Sequence, residues 1–314
     1  MNRSPHVVSS LSQNDDTSGA DVSGTAKRRL LSARGEPFLF ADWQRVVFLH
    51  YVISPEVLRP HVPEPFELEL HEGRACVSLV ALTMRRFRPC RPGSLAAWPL
   101  RPLARQCFLN VRTYVRWGEE AGALFLWGWL SKPFGVGLPL GGLGLPCRFG
   151  SLEYEDSDAA GRVRGVVNVG GKATGIRTAN IEQRTLNMEH RTSNAESFRY
   201  QGLVENGEEF QPCEPGSLAE FAMERYSGFF CWGTRRMIFR AWHPPWLQKP
   251  LEVTVEDDGL LRGKFPWFKE ARLAAANFAP GFERVWLGKA HRLEKIGARR
   301  GRGGRVLSAF YEMP

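Results

Sequence analysis

The sequence predicts a mainly β protein, an antiparallel barrel with a few flanking helices, and three observations support this. The 314 residues include 32 Gly and 21 Pro, which favours short strands joined by many turns. Hydrophobic residues make up 43% of the chain, enough for a sizeable core, so wholesale disorder is excluded. Several segments alternate apolar and polar side chains, whereas the sequence lacks the alternation of strands and helices that is typical of a parallel sheet.

Composition divides the chain into three regions. Residues 1–35 are rich in Ser, Asp, Thr and Gly and predict a mobile extension, because they offer little to bury. Residues 36–297 are expected to form one β-barrel domain. Residues 298–314 form a basic tail of glycines and arginines. Residues 1–35 also lack the apolar core of a secretion signal, and the six cysteines show no CxxC spacing, so we expect reduced thiols and a cytoplasmic protein.

The clearest strand signal runs from Asn110 to Trp117. Asn110, Arg112 and Tyr114 alternate with Val, Thr and Val, so the three polar side chains share one face of a strand. Similar but weaker patterns predict further strands over residues 75–84, 122–130, 163–169 and 235–243.

Helix and turn signals are fewer. Ser54-Pro55-Glu56 has the order of a helix start, and Pro60 limits that helix to about one turn. Ser217 followed by Glu220 predicts a capping box and a helix ending near Gly228. Asp258-Gly259 predicts a tight hairpin between two strand ends over residues 251–261.

The charge pattern points to an anionic partner. Lys and Arg outnumber Asp and Glu by 42 to 33, and the segment from Gly73 to Gly118 contains many arginines and no acidic residue. A positive surface or pocket follows. Arg112, on the polar face of its strand, could clamp a carboxylate through its planar fork of donors, or it could pair with an internal Glu.

Candidate acid–base groups are two histidines and one short acidic segment. His50 follows an apolar run and His243 precedes Pro244-Pro245-Trp246, so either could be a buried structural imidazole or a general base. Glu224 and Tyr226 could supply an acid or a phenol to a pocket, or belong to a buried structural network. No HExxH, P-loop or GxGxxG strand–helix motif is present, so we predict neither a metal site nor a cofactor.

Six blocks in a fixed order resemble the YqjF-like proteins (DUF2071), a bacterial family of unknown function grouped with acetoacetate decarboxylase-like folds. The resemblance runs from about Trp43 to Pro266. The blocks are Phe48-Leu49-His50-Tyr51, residues 58–63, Asn110-Val111-Arg112-Thr113-Tyr114-Val115, Gly144-Leu145-Pro146, Gly216-Ser217-Leu218 with Glu224-Arg225-Tyr226, and His243-Pro244-Pro245-Trp246.

The resemblance implies an acetoacetate decarboxylase-like β-barrel with a central cavity, but it argues against decarboxylation. Such decarboxylases form a Schiff base through a lysine after a Gly-aromatic-Pro turn. The matching turn here puts Cys147 and Arg148 where lysines would stand, and Phe108 occupies a place where relatives often keep Glu. A thiol cannot form that imine. Lys132 could enter the cavity from another strand, and Cys147 could instead be a nucleophile or a plain buried thiol.

Three hypotheses follow. The first is a cavity that binds a small organic acid or carbonyl compound, with Arg112 and Arg148 opposing its charge; its predicted ligand-binding residues are Asn110, Arg112, Tyr114, Cys147 and Arg148. The second is a lyase or hydrolase-type enzyme that transfers protons through His50, Glu224, Tyr226 and His243. The third is a scaffold whose basic tail binds polyanions. We expect no specific nucleic-acid partner and no membrane association, and the oligomeric state stays open.

Overall fold

The computed structural model describes residues 18–90, 105–132, 144–155, 161–170, 196–204 and 209–293. The helices are α1 (Ser18–Leu31), α2 (Pro55–Leu58), α3 (Leu218–Met223) and α4 (Gly259–Lys264), and 3₁₀ turns cover Arg59–His61 and Pro266–Glu270. The strands are β1 (Leu39–Ile53), β2 (Glu67–Leu68), β3 (Leu70–His71), β4 (Arg74–Pro89), β5 (Arg105–Trp117), β6 (Glu120–Leu130), β7 (Cys147–Phe149), β8 (Ser151–Glu155), β9 (Arg162–Val169), β10 (Glu196–Val204), β11 (Gln211–Pro212), β12 (Ser227–Trp232), β13 (Arg235–Trp242), β14 (Leu247–Asp257), β15 (Arg272–Leu287) and β16 (His291–Arg292). The mainly β class predicted from the sequence is confirmed.

Seven strands pair into a closed ring. Their order is β13-β12-β6-β5-β4-β1-β15, and β15 pairs back onto β13 through Ala241 with Leu287 and Trp242 with Trp286. Neighbouring strands in the ring are antiparallel except β6 and β12, which run parallel. Strand β7, off the ring, also runs parallel to β6, and the remaining described pairings of the predicted antiparallel fold are antiparallel.

The two faces of the ring belong to different core clusters. Leu79 and Leu109 pack on the outer face together with Val167 and Phe198, which come from the adjoining strands β9 and β10. Strands β14, β10, β9 and β8 continue from β15 and so cover this outer face. Val80, next to Leu79, faces inward to a second cluster, as the two-residue period of a strand requires.

Part of the N-terminal stretch 1–35, predicted to be a mobile extension, forms helix α1. Helix α1 packs against β13, where its Leu30 is only 2% exposed. The indole Nε1 of Trp242 donates to the carbonyl oxygen of Ser23 over 3.1 Å, and Lys27 Nζ lies 4.2 Å from the centre of the Trp242 ring. A few well-placed contacts are sufficient to hold a segment of low overall hydrophobicity. Residues 1–17 lie outside the described part of the chain.

Two local predictions near turns are wrong. Asp257 ends β14 and its Oδ1 accepts a hydrogen bond from Gly259 N at 2.9 Å, so helix α4 begins where a hairpin was expected. Helix α3 begins as predicted, with Ser217 Oγ accepting from Glu220 N, but it ends at Met223 and not near Gly228. It ends early because strand β12, pairing with β13, begins at Ser227.

Other predicted elements are confirmed, including α2 after Ser54 and the strands over residues 75–84, 122–130 and 163–169. Several arginines of the segment without acidic residues find carboxylates on other strands. Arg86 and Arg88 pair with buried Asp42, and Arg116 pairs with Glu69. Among the described residues, no helix combines the length and apolar character needed to span a membrane. The basic tail lies outside the described residues.

Candidate functional site

The inner face of the ring surrounds a cavity. Its empty space, including the side open to solvent, is about 800 Å³. Strands β1, β4, β5, β6 and β13 supply most of its walls, and most of the lining side chains are apolar. Helix α3 contributes Met223, and the segment that follows contributes Arg225 and Tyr226.

Strand β5 presents its predicted polar face to this cavity. Asn110 and Arg112 line it, and Tyr114 continues the same face beyond them. Val111, between Asn110 and Arg112, packs in the outer cluster. The alternation in the sequence therefore identified the inward side of the strand.

Within the described part of the chain, Arg112 is a cation without a counter-ion. Its Nη2 donates to Ala222 O at 2.9 Å and its Nε to Tyr114 Oη at 3.4 Å. Among the described residues no carboxylate lies within ion-pair distance of this guanidinium, so the alternative of an internal Glu is not supported. Arg225, by contrast, pairs with Glu69 Oε2 at 2.6 Å. A charge in an apolar cavity without a counter-ion favours an anionic ligand.

His50 lies at the end of a buried hydrogen-bond chain that starts at Arg112. Tyr114 Oη, which accepts from Arg112, donates to Ser78 Oγ at 2.6 Å, and Ser78 Oγ lies 2.7 Å from His50 Nδ1. The tautomer of the imidazole decides which of Ser78 Oγ and His50 Nδ1 donates in this last hydrogen bond. Burial lowers the pKa of His50 to about 3, helped by the charge of Arg112. The imidazole is therefore neutral at neutral pH.

His243 occupies a box of aromatic rings. Its ring stacks on Phe282 at 4.9 Å and on Tyr226 at 4.8 Å between centroids. Nδ1 lies 2.7 Å from Pro244 O, which can only accept, so Nδ1 carries the proton and Nε2 keeps its lone pair. Burial lowers the pKa of His243 to about 4.

Glu224 and Tyr226 meet on the same wall. Tyr226 Oη donates to Glu224 Oε2 at 2.6 Å, and the backbone N–H of Trp246 donates to Glu224 Oε1 at 2.7 Å. Burial raises the pKa of the Glu224 carboxyl, although both donors oppose this effect. Three of the four predicted acid–base residues, Glu224, Tyr226 and His243, thus lie together, whereas the described hydrogen bonds connect His50 to Ser78 instead.

Three buried polar atoms at the cavity walls have no hydrogen-bond partner among the described residues. Asn110 Nδ2 donates to Val80 O at 3.2 Å, but its Oδ1 has none. The indole Nε1 atoms of Trp43 and Trp246 are also unsatisfied. Such groups are rare in protein interiors and often indicate a site that a ligand or water completes.

Cys147 and Arg148 cannot both face the cavity, because neighbouring residues of a strand point to opposite sides. A Cβ on Gly128 would lie 2.6 Å from the Phe108 ring and 2.9 Å from Cys147 Sγ, so Cys147 packs on the inner side behind Phe108. Arg148 is exposed, and its guanidinium lies 5.5 Å from the centre of the Trp127 ring. The expectation that Arg148 acts beside Arg112 is not supported by this placement.

The chemistry of Cys147 is that of a partly buried thiol. Burial raises its pKa to about 12, which argues against an activated nucleophile. Phe108 lines the cavity with its apolar ring. No lysine, Lys132 included, is among the described residues that line it. The described residues also contain no group of His, Cys, Asp and Glu able to hold a metal ion.

Sequence reasoning missed Ser78, Trp43 and Met223. Ser78 is the one polar residue within the apolar stretch of residues 75–82 in β4 and is fully buried, and this position could have indicated a polar partner on the inner face. Trp43 and Met223 carry no such signal, because their place in the cavity depends on the closure of the ring.

Comparison with known proteins identifies a family that matches most of the chain. Residues 41–282 match the model of DUF2071, described as an uncharacterized conserved protein. Protein YqjF of Bacillus subtilis, also uncharacterized, is 31% identical over 87 residues; the match covers 26% of this chain and 32% of YqjF, so the chain spans about a third of that relative's length.

Solved structures with the same fold have little sequence identity to this chain. The enduracididine biosynthesis enzyme MppR, complexed with the condensation product of pyruvate and imidazole 4-carboxaldehyde, has a TM-score of 0.54 at 12% identity, covering 81% of this chain and 88% of MppR. An acetoacetate decarboxylase-like enzyme from Sphingomonas wittichii has a TM-score of 0.51 at 14% identity, covering 82% and 94%. Acetoacetate decarboxylase from Legionella pneumophila has a TM-score of 0.52 at 11% identity, covering 81% and 87%.

These likenesses establish an acetoacetate decarboxylase-like fold and, at such identities, nothing about activity. The family match is stronger evidence, because it spans most of the ring and every predicted site residue. The chain belongs to the DUF2071 family of uncharacterized conserved proteins.

Proposed function

We propose that the protein binds a small organic acid or carbonyl compound in the cavity, with Arg112 opposing the ligand's negative charge. The observation that carries this proposal is the lack of a carboxylate partner for Arg112 among the described residues, within a largely apolar cavity. Asn110, whose Oδ1 is unsatisfied, is placed to contact the ligand beside Arg112. MppR, which shares the fold, has been observed with pyruvate, a compound of this class.

Binding in this proposal is noncovalent and needs no cofactor. The lining residues in the described part of the chain supply no amine for a Schiff base, and the thiol of Cys147 cannot replace one. We also keep the cytoplasmic location as part of the proposal, since all six cysteines are free thiols.

A thermal shift experiment tests this function. Pyruvate and hexanoate should raise the melting temperature of the wild type and fail to raise that of Arg112→Gln. The loss of one charge-assisted hydrogen bond, worth about 1.5–3 kcal/mol, predicts roughly a tenfold to hundredfold weaker affinity. Arg116→Gln is the matched control, because Arg116 lies on the same strand face but is exposed and pairs with Glu69. Equal shifts in wild type and Arg112→Gln would remove the proposal.

A second candidate function is proton transfer next to a carbonyl group. The observation that favours it is the hydrogen bond of Tyr226 to Glu224 at 2.6 Å, with Tyr226 stacked on His243. The unprotonated Nε2 of His243 would take a proton from the carbon beside the ligand's carbonyl and later return one.

Deuterium exchange tests this second function without a known substrate. The methyl protons of pyruvate in D₂O should exchange faster with the wild type than with His243→Gln or Tyr226→Phe, as followed by NMR. Tyr154→Phe is the control, because Tyr154 donates to Phe108 O and belongs to the outer cluster. If the wild type does not exceed the buffer rate, the cavity binds without this chemistry.

A further inference from the structure

We propose that the ligand is a monocarboxylic acid with a large apolar body, of the size of an eight-carbon chain or a phenyl ring. This rests on the proposed function, because it assigns the ligand class of the same cavity. The inference comes from the distribution of charge and of apolar surface along the cavity walls.

The charge of the site matches one carboxylate. Two guanidinium groups are among the described residues that line the cavity. Arg225 is paired with Glu69, a carboxylate that it shares with Arg116, and its Nε also donates to Phe221 O at 2.6 Å. Arg112 is the other, and it has no carboxylate partner among the described residues. A second anionic group on the ligand would have to compete with Glu69 for Arg225, which is unfavourable.

The rest of the wall is built to contact hydrocarbon. Along β4, Val80, Leu82 and Met84 point inward at every second position, and each is at most 5% exposed. On β1, Phe48 faces the same space, with its ring edge against Trp246 at 5.1 Å between centroids. A three-carbon acid held at Arg112 leaves most of these side chains without a contact partner, whereas a longer body fills the space and gains dispersion contacts.

The length of the apolar body can be read from affinity, because each methylene group that enters the apolar part of the cavity should strengthen binding. Transfer of each methylene group from water to an apolar environment contributes about 0.8 kcal/mol, which corresponds to about fourfold in affinity. From butyrate to octanoate, four methylene groups predict a gain of about a hundredfold or more.

The test is calorimetric titration of butyrate, hexanoate and octanoate, with octanamide as the neutral counterpart of octanoate. Affinity for the wild type should rise with each step in chain length, and octanamide should bind at least tenfold more weakly than octanoate. The same series with pyruvate and phenylpyruvate should favour the aromatic acid.

A wall variant locates the apolar body. Val80→Phe fills space on β4 and should weaken octanoate binding at least tenfold. Arg116→Gln is the control for surface charge, and the melting temperature reports whether each variant is folded. Even if Val80→Phe does not fold, the chain-length series in the wild type shows whether the cavity prefers an acid with a large apolar body.

The outcomes separate this inference from the function on which it rests. If butyrate and octanoate bind equally tightly, and both depend on Arg112, the assignment of a large apolar body is overturned and the acid-binding function stands. If octanoate binds Arg112→Gln or octanamide binds the wild type as tightly as octanoate does, the proposed function itself fails.

Discussion

The two buried histidines predict a steep loss of stability in mild acid. Burial lowers the pKa of His243 to about 4 and that of His50 to about 3, whereas an unfolded chain protonates histidine near 6.5. Between these values the unfolded state binds more protons than the native state, so stability falls as pH drops below 6.5. Each histidine contributes about 1.4 kcal/mol per pH unit in this window, or roughly 3 kcal/mol for His243 between pH 6.5 and 4.

The assay is urea denaturation followed by tryptophan fluorescence at pH values from 4.5 to 7. Replacing one histidine lowers by one the number of protons that the unfolded state binds in excess of the native state. His243→Gln should therefore reduce the slope of unfolding free energy against pH by about 1.4 kcal/mol per pH unit. His61→Gln, at an exposed position, is the control and should leave the slope unchanged. Equal slopes for the wild type and His243→Gln would refute a buried, neutral His243 and the box of rings around it.

Three further perturbations test the packing. Leu30→Ala should lower the unfolding free energy by about 2–3 kcal/mol in urea denaturation, because Leu30 is 2% exposed, and an unchanged midpoint would contradict the packing of α1. Gly165→Ala should destabilise by about 1–3 kcal/mol, since the added Cβ would lie 2.2 Å from the Tyr200 ring, whereas Gly24→Ala in α1 meets nothing closer than 3.6 Å and should not destabilise. In the native protein Cys147 should react with a thiol reagent about a hundredfold more slowly than in the denatured protein, because its pKa is raised to about 12. Cys147→Ser identifies the part of the reaction that belongs to this thiol. A fast reaction in the native protein would contradict the placement of Cys147 against the inner wall.

The sequence predicts those parts of the site that depend on one strand. Alternation along Asn110, Arg112 and Tyr114 identified the inward face of β5, because strand periodicity fixes the side to which each residue points. The same rule excludes a joint role for the neighbours Cys147 and Arg148, although β7 is too short to show alternation by itself. The charge of Arg112 was visible in the sequence, but the lack of a counter-ion for it among the residues that the structure describes was not.

Features that depend on ring closure could not be predicted. The chain from Arg112 through Tyr114 and Ser78 to His50 joins three strands whose register no local pattern specifies. Helix α1 was expected to be mobile, because one buried leucine and a few polar contacts do not stand out against a polar composition. The short interval between β14 and α4 was mistaken for a hairpin, since Asp-Gly fits a helix start as well as a tight turn.

A crystal structure of the protein with octanoate bound would test the central claim most directly. The account predicts a carboxylate oxygen within about 3 Å of an Arg112 nitrogen, and the hydrocarbon chain along Val80 and Leu82 of β4. Octanoate found with its carboxylate turned away from Arg112, or a cavity that stays empty at saturating octanoate, would contradict it.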